Sequence, residues 1–126
     1  MNKNNQKLKS LYLAVDFDGT LVTEAYPDIG KLLPDAKKYV NQLYDDGHYI
    51  IIWTCRDGEF TTKVEQFLFE SGVKFHKIND NGPLKILGFG TNCRKVSADI
   101  YIDDKSVLGI LPWPEMYKII TKKAKE

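Results

Sequence analysis

The chain has 126 residues, of which 43% are hydrophobic and 28% are charged. Both fractions are ordinary for a soluble globular protein and argue against a disordered, collagen-like or coiled-coil chain. We therefore expect one domain over residues 1–126, with a polar N-terminal tail over about residues 1–10 and a lysine-rich C-terminal tail over about residues 118–126.

Charge and cysteine content point to no special environment. Eighteen basic and seventeen acidic residues leave a formal net charge of +1, so no chain-wide field draws the protein to nucleic acid or to an anionic membrane. The two cysteines, Cys55 and Cys93, are too few for a disulfide framework and lie in no metal-binding spacing. The N-terminus lacks the apolar stretch of a signal peptide, and no apolar run is long enough to cross a bilayer. These features predict a cytoplasmic protein with no membrane partner.

The first half of the chain alternates apolar runs with amphipathic segments. Residues 11–15 predict a strand that is buried on both faces. A helical pattern then begins at Pro34 and ends at Gly47. Residues 49–53, rich in β-branched and aromatic side chains, predict a second strand, and the helix after it ends at Gly72.

The second half continues the alternation with weaker signals. Residues 73–78 predict a third, more polar strand, and the turn residues at 79–83 follow it. Residues 99–102 predict a fourth short strand, and the chain closes with an amphipathic helix after Pro114. This order predicts an α/β fold of the three-layer, Rossmann-like kind, with a parallel sheet in the order 3-2-1-4 and helices on both faces.

Acidic residues follow two of these strands directly. In open parallel sheets ligands bind at the carboxyl ends of the strands, where the strand order reverses, which here is between strands 1 and 4. This edge would collect Asp16, Asp18, Asp103 and Asp104. A lone aspartate after a strand more often ends the strand or caps a helix, but that reading does not explain two acidic clusters.

Converging carboxylates repel each other unless a cation or a proton lies between them. A hard divalent cation resolves this repulsion. Mg²⁺ prefers carboxylate, carbonyl and water oxygens, uses few protein ligands and leaves positions open for a substrate phosphate. The acidic clusters therefore predict a Mg²⁺ site that handles phosphate.

The ordered motifs resemble those of the haloacid dehalogenase superfamily. Residues 16–20, with the sequence Asp-Phe-Asp-Gly-Thr, resemble its first motif, and Thr54 after the second strand resembles its second. Lys95 resembles the third motif, and the acidic pair at residues 103–104 resembles the fourth. Together the motifs cover most of the chain, and the ordered set is far more specific than D-x-D alone. The resemblance implies a small phosphatase-like member of the superfamily.

The resemblance also implies a role for each acid. Asp16 would be the nucleophile that attacks phosphorus to give an aspartyl-phosphate, and Asp18 would act as general acid and then as general base. The carboxylates of Asp16 and Asp103, with the backbone carbonyl of Asp18, would hold Mg²⁺, and Asp104 would support the metal shell. The second aspartate of the first motif favours phosphate chemistry over dehalogenation.

Thr54 and Lys95 would bind the transferring phosphoryl oxygens and so belong to both the catalytic and the substrate-binding set. The lysine assignment is the weakest, because Lys85 and Lys105 are also near. Gly19, which permits the sharp turn after the strand, is the remaining backbone candidate for the substrate site.

Arg56 resembles the arginine of some polynucleotide phosphatases in the superfamily, and its guanidinium could grip a second phosphate or a carboxylate of the substrate. A solvated loop arginine is the alternative. The resemblance therefore leaves two hypotheses for the substrate: an unidentified phosphomonoester, or a polynucleotide end.

Two other classes of protein compete with an enzyme. A phospho-acceptor receiver domain has this length and an acidic Mg²⁺ site, but its motif order differs, and a non-catalytic phosphate-binding module would not need both Asp16 and Asp18. The superfamily usually inserts a cap domain after its first motif or after the third strand, and both intervals here are too short for one. Without a cap, specificity must come from a large substrate or from a second copy of the chain that covers the site.

Overall fold

The computed structural model describes residues 8–126 and contains one four-stranded sheet. Its strands are β1 (Tyr12–Asp16), β2 (Tyr49–Trp53), β3 (Lys77–Ile78) and β4 (Ile100–Ile102). They lie in the order β3-β2-β1-β4, and all three neighbouring pairs are parallel. The predicted strand order and the parallel α/β fold are therefore confirmed.

Four helices connect or follow the strands: α1 (Ala36–Asp45), α2 (Glu59–Ser71), α3 (Pro83–Phe89) and α4 (Trp113–Ala124). Gly72 ends α2, as the sequence predicts, and has a left-handed backbone with φ 76°. Within residues 8–126, none of the helices is long and apolar enough to cross a membrane. No cap domain interrupts the order of elements in this range.

Helices cover the two faces of the sheet unequally. On one face, Leu13 and Val15 pack in a core to which α1, α2 and α4 all contribute buried apolar side chains. On the other face, Ala14 and Ile51 pack against Val96, which lies in the segment between β3 and β4. The helix of that segment, α3, buries none of its own side chains. The second face of the sheet is thus only partly covered by helix, and the carboxyl ends of β1 and β4 remain open.

The structure differs from the sequence-based expectation in the third strand, in the segment that follows it and in the C-terminal tail. The third strand is two residues long instead of spanning 73–78, and residues 83–89, which have no clear helical pattern, form α3. Most of the expected C-terminal tail is the second half of α4, where Ile120 and Ala124 are buried in the core. The expected N-terminal tail falls partly on residues 1–7, which lie outside the described residues, and Lys9 already donates its backbone N–H to the Ala124 carbonyl at 2.9 Å.

Between β1 and α1 the chain forms a hairpin loop, residues 18–33, beside the open edge of the sheet. Val22 bridges to both Asp18 and Leu32, and this pairing holds the two arms of the loop together. Gly30 is needed at the crossing, because a Cβ there would overlap the backbone carbonyl of Thr23. The hairpin loop therefore has a defined shape that can form one wall of a site.

Candidate active site

Three acidic side chains converge at the open edge. Asp16 is the last residue of β1, and Asp103 and Asp104 directly follow β4, its neighbour in the sheet. One carboxylate oxygen from each residue lies within 4.8 Å of those from the other two. The structure thus brings together three of the four carboxylates that the sequence predicts at one site, from segments almost ninety positions apart.

The buried hydroxyl of Thr20 links this acidic cluster. It donates to Asp16 Oδ2 at 3.1 Å, with Asp104 Oδ1 as a second, longer partner at 3.4 Å, and it accepts the backbone N–H of Asp104 at 3.0 Å. The Thr20 carbonyl in turn accepts the indole N–H of Trp113 at 3.1 Å. A single hydroxyl therefore fixes the first motif against the fourth. The sequence analysis includes Thr20 only as the last residue of the first motif.

The electrostatics of the cluster favour a bound cation. Burial, followed by the hydrogen bond with Asp104 and the negative charge of Asp103, raises the pKa of Asp16 to about 7. Three acids this close cannot all be ionised without something to offset their charge. Their oxygen-only donor set matches what Mg²⁺ accepts, so the residues present fit that metal.

Asp18 lies outside the acidic cluster and is paired with Arg56. The Arg56 Nε donates to Asp18 Oδ2 at 2.8 Å and its Nη2 donates to Oδ1 at 2.7 Å, which is a bidentate ion pair. These hydrogen bonds raise the pKa of the Arg56 guanidinium above its usual range. The Asp18 side chain is 16% exposed and that of Arg56 only 1%. The two acids of the first motif therefore have different surroundings.

Thr54, the predicted second-motif residue, is held by a polar side chain that sequence reasoning missed. Asn79 accepts the Thr54 backbone N–H at 2.8 Å and donates to the Thr54 carbonyl, also at 2.8 Å. Its backbone is left-handed, with φ 54°, a conformation that asparagine tolerates better than most residues. The available signal was an asparagine directly after the third strand, which we interpreted only as a turn.

The three candidate lysines lie in different places. Lys105 lines the cavity at the acidic cluster. The Lys95 ammonium lies 5.1 Å from the centre of the Tyr101 ring, and that of Lys85 lies 4.8 Å from the centre of the Tyr12 ring, so neither lines this cavity. The assignment of the phosphate-binding lysine to Lys95 stays a prediction.

Gly19 has the positive φ, 85°, that the turn after β1 requires. Its N–H donates to the Val22 carbonyl at 2.8 Å, so it is engaged within the hairpin loop. A Cβ at this position would lie 2.7 Å from Cγ of Asp104. Gly19 therefore contributes to the site by leaving room for an acidic side chain.

The acidic cluster lines an open cavity of about 500 Å³. The sequence did not single out two residues in its wall, Glu24 and Tyr26 of the hairpin loop, and both are exposed. The residues that line the cavity are Asp16, Asp18, Glu24, Tyr26, Thr54, Cys55, Arg56, Asp103, Asp104 and Lys105. A larger groove of about 900 Å³ lies along α2 and contains none of the predicted site residues.

Comparisons with known proteins identify the family of the chain. A sequence model of haloacid dehalogenase-like hydrolases matches residues 13–118, which include all of the predicted motifs. The chain belongs to this hydrolase family. It is also similar to a solved structure of a conserved protein from Bacteroides thetaiotaomicron, with 36% sequence identity and a TM-score of 0.82 over 91% of this chain and 93% of that one. Among curated proteins, none matches this haloacid dehalogenase-like hydrolase.

Proposed function

We propose that this haloacid dehalogenase-like hydrolase cleaves phosphomonoesters with Mg²⁺, through an aspartyl-phosphate formed on Asp16. The observation that carries the proposal is the acidic cluster at the end of β1, within 4.8 Å between carboxylate oxygens, with Asp18 held apart from it by Arg56. One carboxylate can then attack while another, two residues on, handles protons.

Asp16, Asp103 and Asp104 offer the side-chain oxygens that would hold the metal, and bound Mg²⁺ would neutralise charge on the phosphoryl oxygens. Asp16 Oδ attacks phosphorus, so an O–P bond forms as the bond from phosphorus to the leaving oxygen breaks. Asp18, which must enter this step protonated, gives its proton to that leaving oxygen and becomes the carboxylate that pairs with Arg56. It then takes a proton from the water that attacks phosphorus, which frees Asp16 again. The Thr20 hydroxyl orients Asp16 throughout.

Thr54 is 9% exposed and lines the cavity, where its hydroxyl oxygen already accepts the Arg56 backbone N–H at 3.1 Å. Its hydroxyl proton is therefore available to a phosphoryl oxygen. We assign the cationic phosphate ligand to Lys95, as the resemblance implies. The open cavity supports a phosphorylated substrate large enough to supply its own contacts, or a second copy of the chain across the mouth. The exposed, unpaired thiols of Cys55 and Cys93 support a reducing compartment such as the cytoplasm.

The experiment is hydrolysis of two esters, an activated aryl phosphate and an alkyl phosphate, by the wild type and three variants. Asp16→Asn should lose about a thousandfold or more on both esters, because it lacks the nucleophile. Asp18→Asn should lose about a hundredfold on the alkyl ester and much less on the aryl ester, whose leaving oxygen needs little protonation. Asp45→Asn, an exposed change far from the cavity, is the matched control.

Metal dependence is tested on the same samples. Excess chelator should abolish turnover, and Mg²⁺ should raise the thermal midpoint of the wild type, because an ion that binds only the folded state stabilises it. Asp103→Asn should weaken that rise. Undiminished turnover in excess chelator would contradict the metal-dependent mechanism, and equal losses of Asp18→Asn on both esters would contradict the role of Asp18.

A further inference from the structure

Arg56 is a buried arginine whose hydrogen bonds all go to the protein itself. Besides its two bonds to Asp18, its Nη1 donates to the Pro27 carbonyl at 3.0 Å and its Nη2 donates to the Asp28 carbonyl at 2.7 Å. Its side chain is 1% exposed. A guanidinium used in this way has little left with which to grip an anion of the substrate.

Two aromatic rings complete the enclosure of this side chain. The guanidinium carbon lies 5.6 Å from the centre of the Phe17 ring and 5.0 Å from that of Tyr26. Phe17 is fully buried within the first motif, whereas Tyr26 lies in the hairpin loop and also packs on Phe60 of α2, with ring centres 5.6 Å apart. Both rings lie within cation–π distance of the guanidinium, and a lysine would not reproduce its planar, bidentate donor geometry.

The pairing leaves part of the Asp18 carboxylate available for chemistry. Each carboxylate oxygen has two lone pairs, and the bidentate pair takes one from each. The side chain of Asp18 is 16% exposed where it lines the cavity, against 1% for Arg56. Arg56 thus fixes the direction of the carboxylate while one side of it faces the space where a leaving group would lie.

We propose that Arg56 is a positioning residue that holds Asp18 and the hairpin loop in one fixed arrangement, and that it does not bind the substrate. The inference rests on the proposed phosphatase function, because it concerns the group that protonates the leaving oxygen. It also links two walls of the cavity: the carboxylate that moves the proton and the loop that carries Glu24 and Tyr26. The leaving group would therefore meet a preformed surface.

The opposing hypothesis, that Arg56 grips a second anion of the substrate, predicts a different kinetic signature. Loss of a substrate ligand would raise KM for esters that carry a second anion and leave simple esters almost unaffected. Loss of a positioning residue would instead lower kcat wherever proton transfer limits the rate. The two hypotheses differ in which ester suffers and in which constant changes.

The test measures kcat and KM of Arg56→Gln, Arg56→Lys and Asp18→Asn on an activated aryl phosphate, on a simple alkyl phosphate and on an alkyl phosphate that carries a second anion. All esters are assayed on the same preparation, so any unfolded fraction cancels in the ratio of the alkyl and aryl rates. We expect Arg56→Gln to lower the alkyl-to-aryl ratio by about tenfold or more, as Asp18→Asn does, with Arg56→Lys between it and the wild type. Arg94→Gln, the same change at an exposed arginine, should leave the ratio unchanged.

A double variant and an exchange measurement complete the test. Asp18→Asn should cost much less in the Arg56→Gln background than alone, because the two residues act as one unit. Amide hydrogen exchange over residues 23–31 should be faster in Arg56→Gln than in Asp18→Asn, because only the former loses the bonds to the Pro27 and Asp28 carbonyls.

The outcomes distinguish a failure of the positioning role of Arg56 from a failure of the proposed phosphatase function. An unchanged alkyl-to-aryl ratio in Arg56→Gln, or a rise in KM confined to esters with a second anion, would overturn the positioning role while leaving the phosphatase proposal intact. Additive losses in the double variant would overturn it as well. A wild type that hydrolyses neither ester would refute the proposed function itself.

Discussion

Gly19→Ala tests whether the acidic cluster depends on the close packing of the Asp104 carboxylate against the Gly19 backbone. Two separate costs arise from one methyl group. The backbone of Gly19 has φ 85°, and holding an alanine there costs about 1–2 kcal/mol. In addition, the new Cβ would lie 2.7 Å from Cγ of Asp104, whereas carbon atoms in contact are usually about 3.5–4 Å apart. The Asp104 carboxylate would therefore have to move by about 1 Å.

Gly90→Ala separates these two costs. Gly90 also has a left-handed backbone, with φ 74°, but no heavy atom lies within 4 Å of the position of its added Cβ. Both variants should lose about 1–2 kcal/mol of unfolding free energy from backbone strain. Only Gly19→Ala should also displace a carboxylate, and a misplacement of about 1 Å in an active site costs about a hundredfold in rate.

The assay compares both variants with the wild type in aryl phosphate hydrolysis at saturating Mg²⁺ and in thermal unfolding with and without Mg²⁺. We expect Gly90→Ala to keep nearly wild-type kcat and a full Mg²⁺-induced rise of the thermal midpoint. Gly19→Ala should lose both. If the two variants lose stability and activity to the same extent, the space that Gly19 leaves for Asp104 has no functional role and the reasoning fails.

Two further predictions concern single side chains. Burial lowers the pKa of His48, whose Nδ1 accepts the Leu11 backbone N–H, so the folded protein binds fewer protons there than the unfolded chain. The contribution of His48 to stability should therefore fall as pH drops below about 6.5, by at most about 1.4 kcal/mol per pH unit. Denaturant titrations should show a flatter fall for His48→Asn, and an equal slope would contradict this assignment. Lys95→Gln should raise KM for phosphate esters more than Lys105→Gln does. The cation–π contact of Lys95 with Tyr101 is worth only about 0.5–1 kcal/mol, so the Lys95 ammonium can leave the ring and bind phosphate. A larger effect at Lys105 would assign the phosphate-binding role to Lys105.

The sheet could be predicted because its signals are local and agree with each other. Residues 49–53 form a run of apolar and β-branched side chains bounded by a glycine and a polar loop, and the observed β2 has those limits. The helix α3 could not be predicted, since it buries none of its side chains and exposes Leu84 and Leu87, so no one-sided apolar pattern marks it. In α4, the many lysines similarly led us to predict a solvent-exposed tail, although Ile120 and Ala124 continue the buried face of the helix.

In the candidate site as well, positions set by the strand order could be predicted, whereas side-chain partners distant in sequence could not. The predicted strand order placed Asp16 and the pair at residues 103–104 on neighbouring strand ends, because parallel strands bring their carboxyl ends to one edge. The partners of Arg56 were not predictable in this way. The four hydrogen bonds of its side chain reach residues 28 to 38 positions away, in a hairpin loop whose conformation no short sequence pattern specifies.

The different surroundings of Asp16 and Asp18 follow from where the strand ends. In a continuing strand, residues two apart point to the same face, and the two acids would lie side by side. Here the strand stops at Asp16, and the carbonyl of the buried Phe17 accepts the N–H groups of Leu21 and Val22 at 2.9 and 3.2 Å. This tight turn carries Asp18 away from the acidic cluster and towards Arg56. A single turn after β1 thus gives two identical side chains separate electrostatic environments: Asp16 lies within the acidic cluster, and Asp18 lies in an ion pair with Arg56.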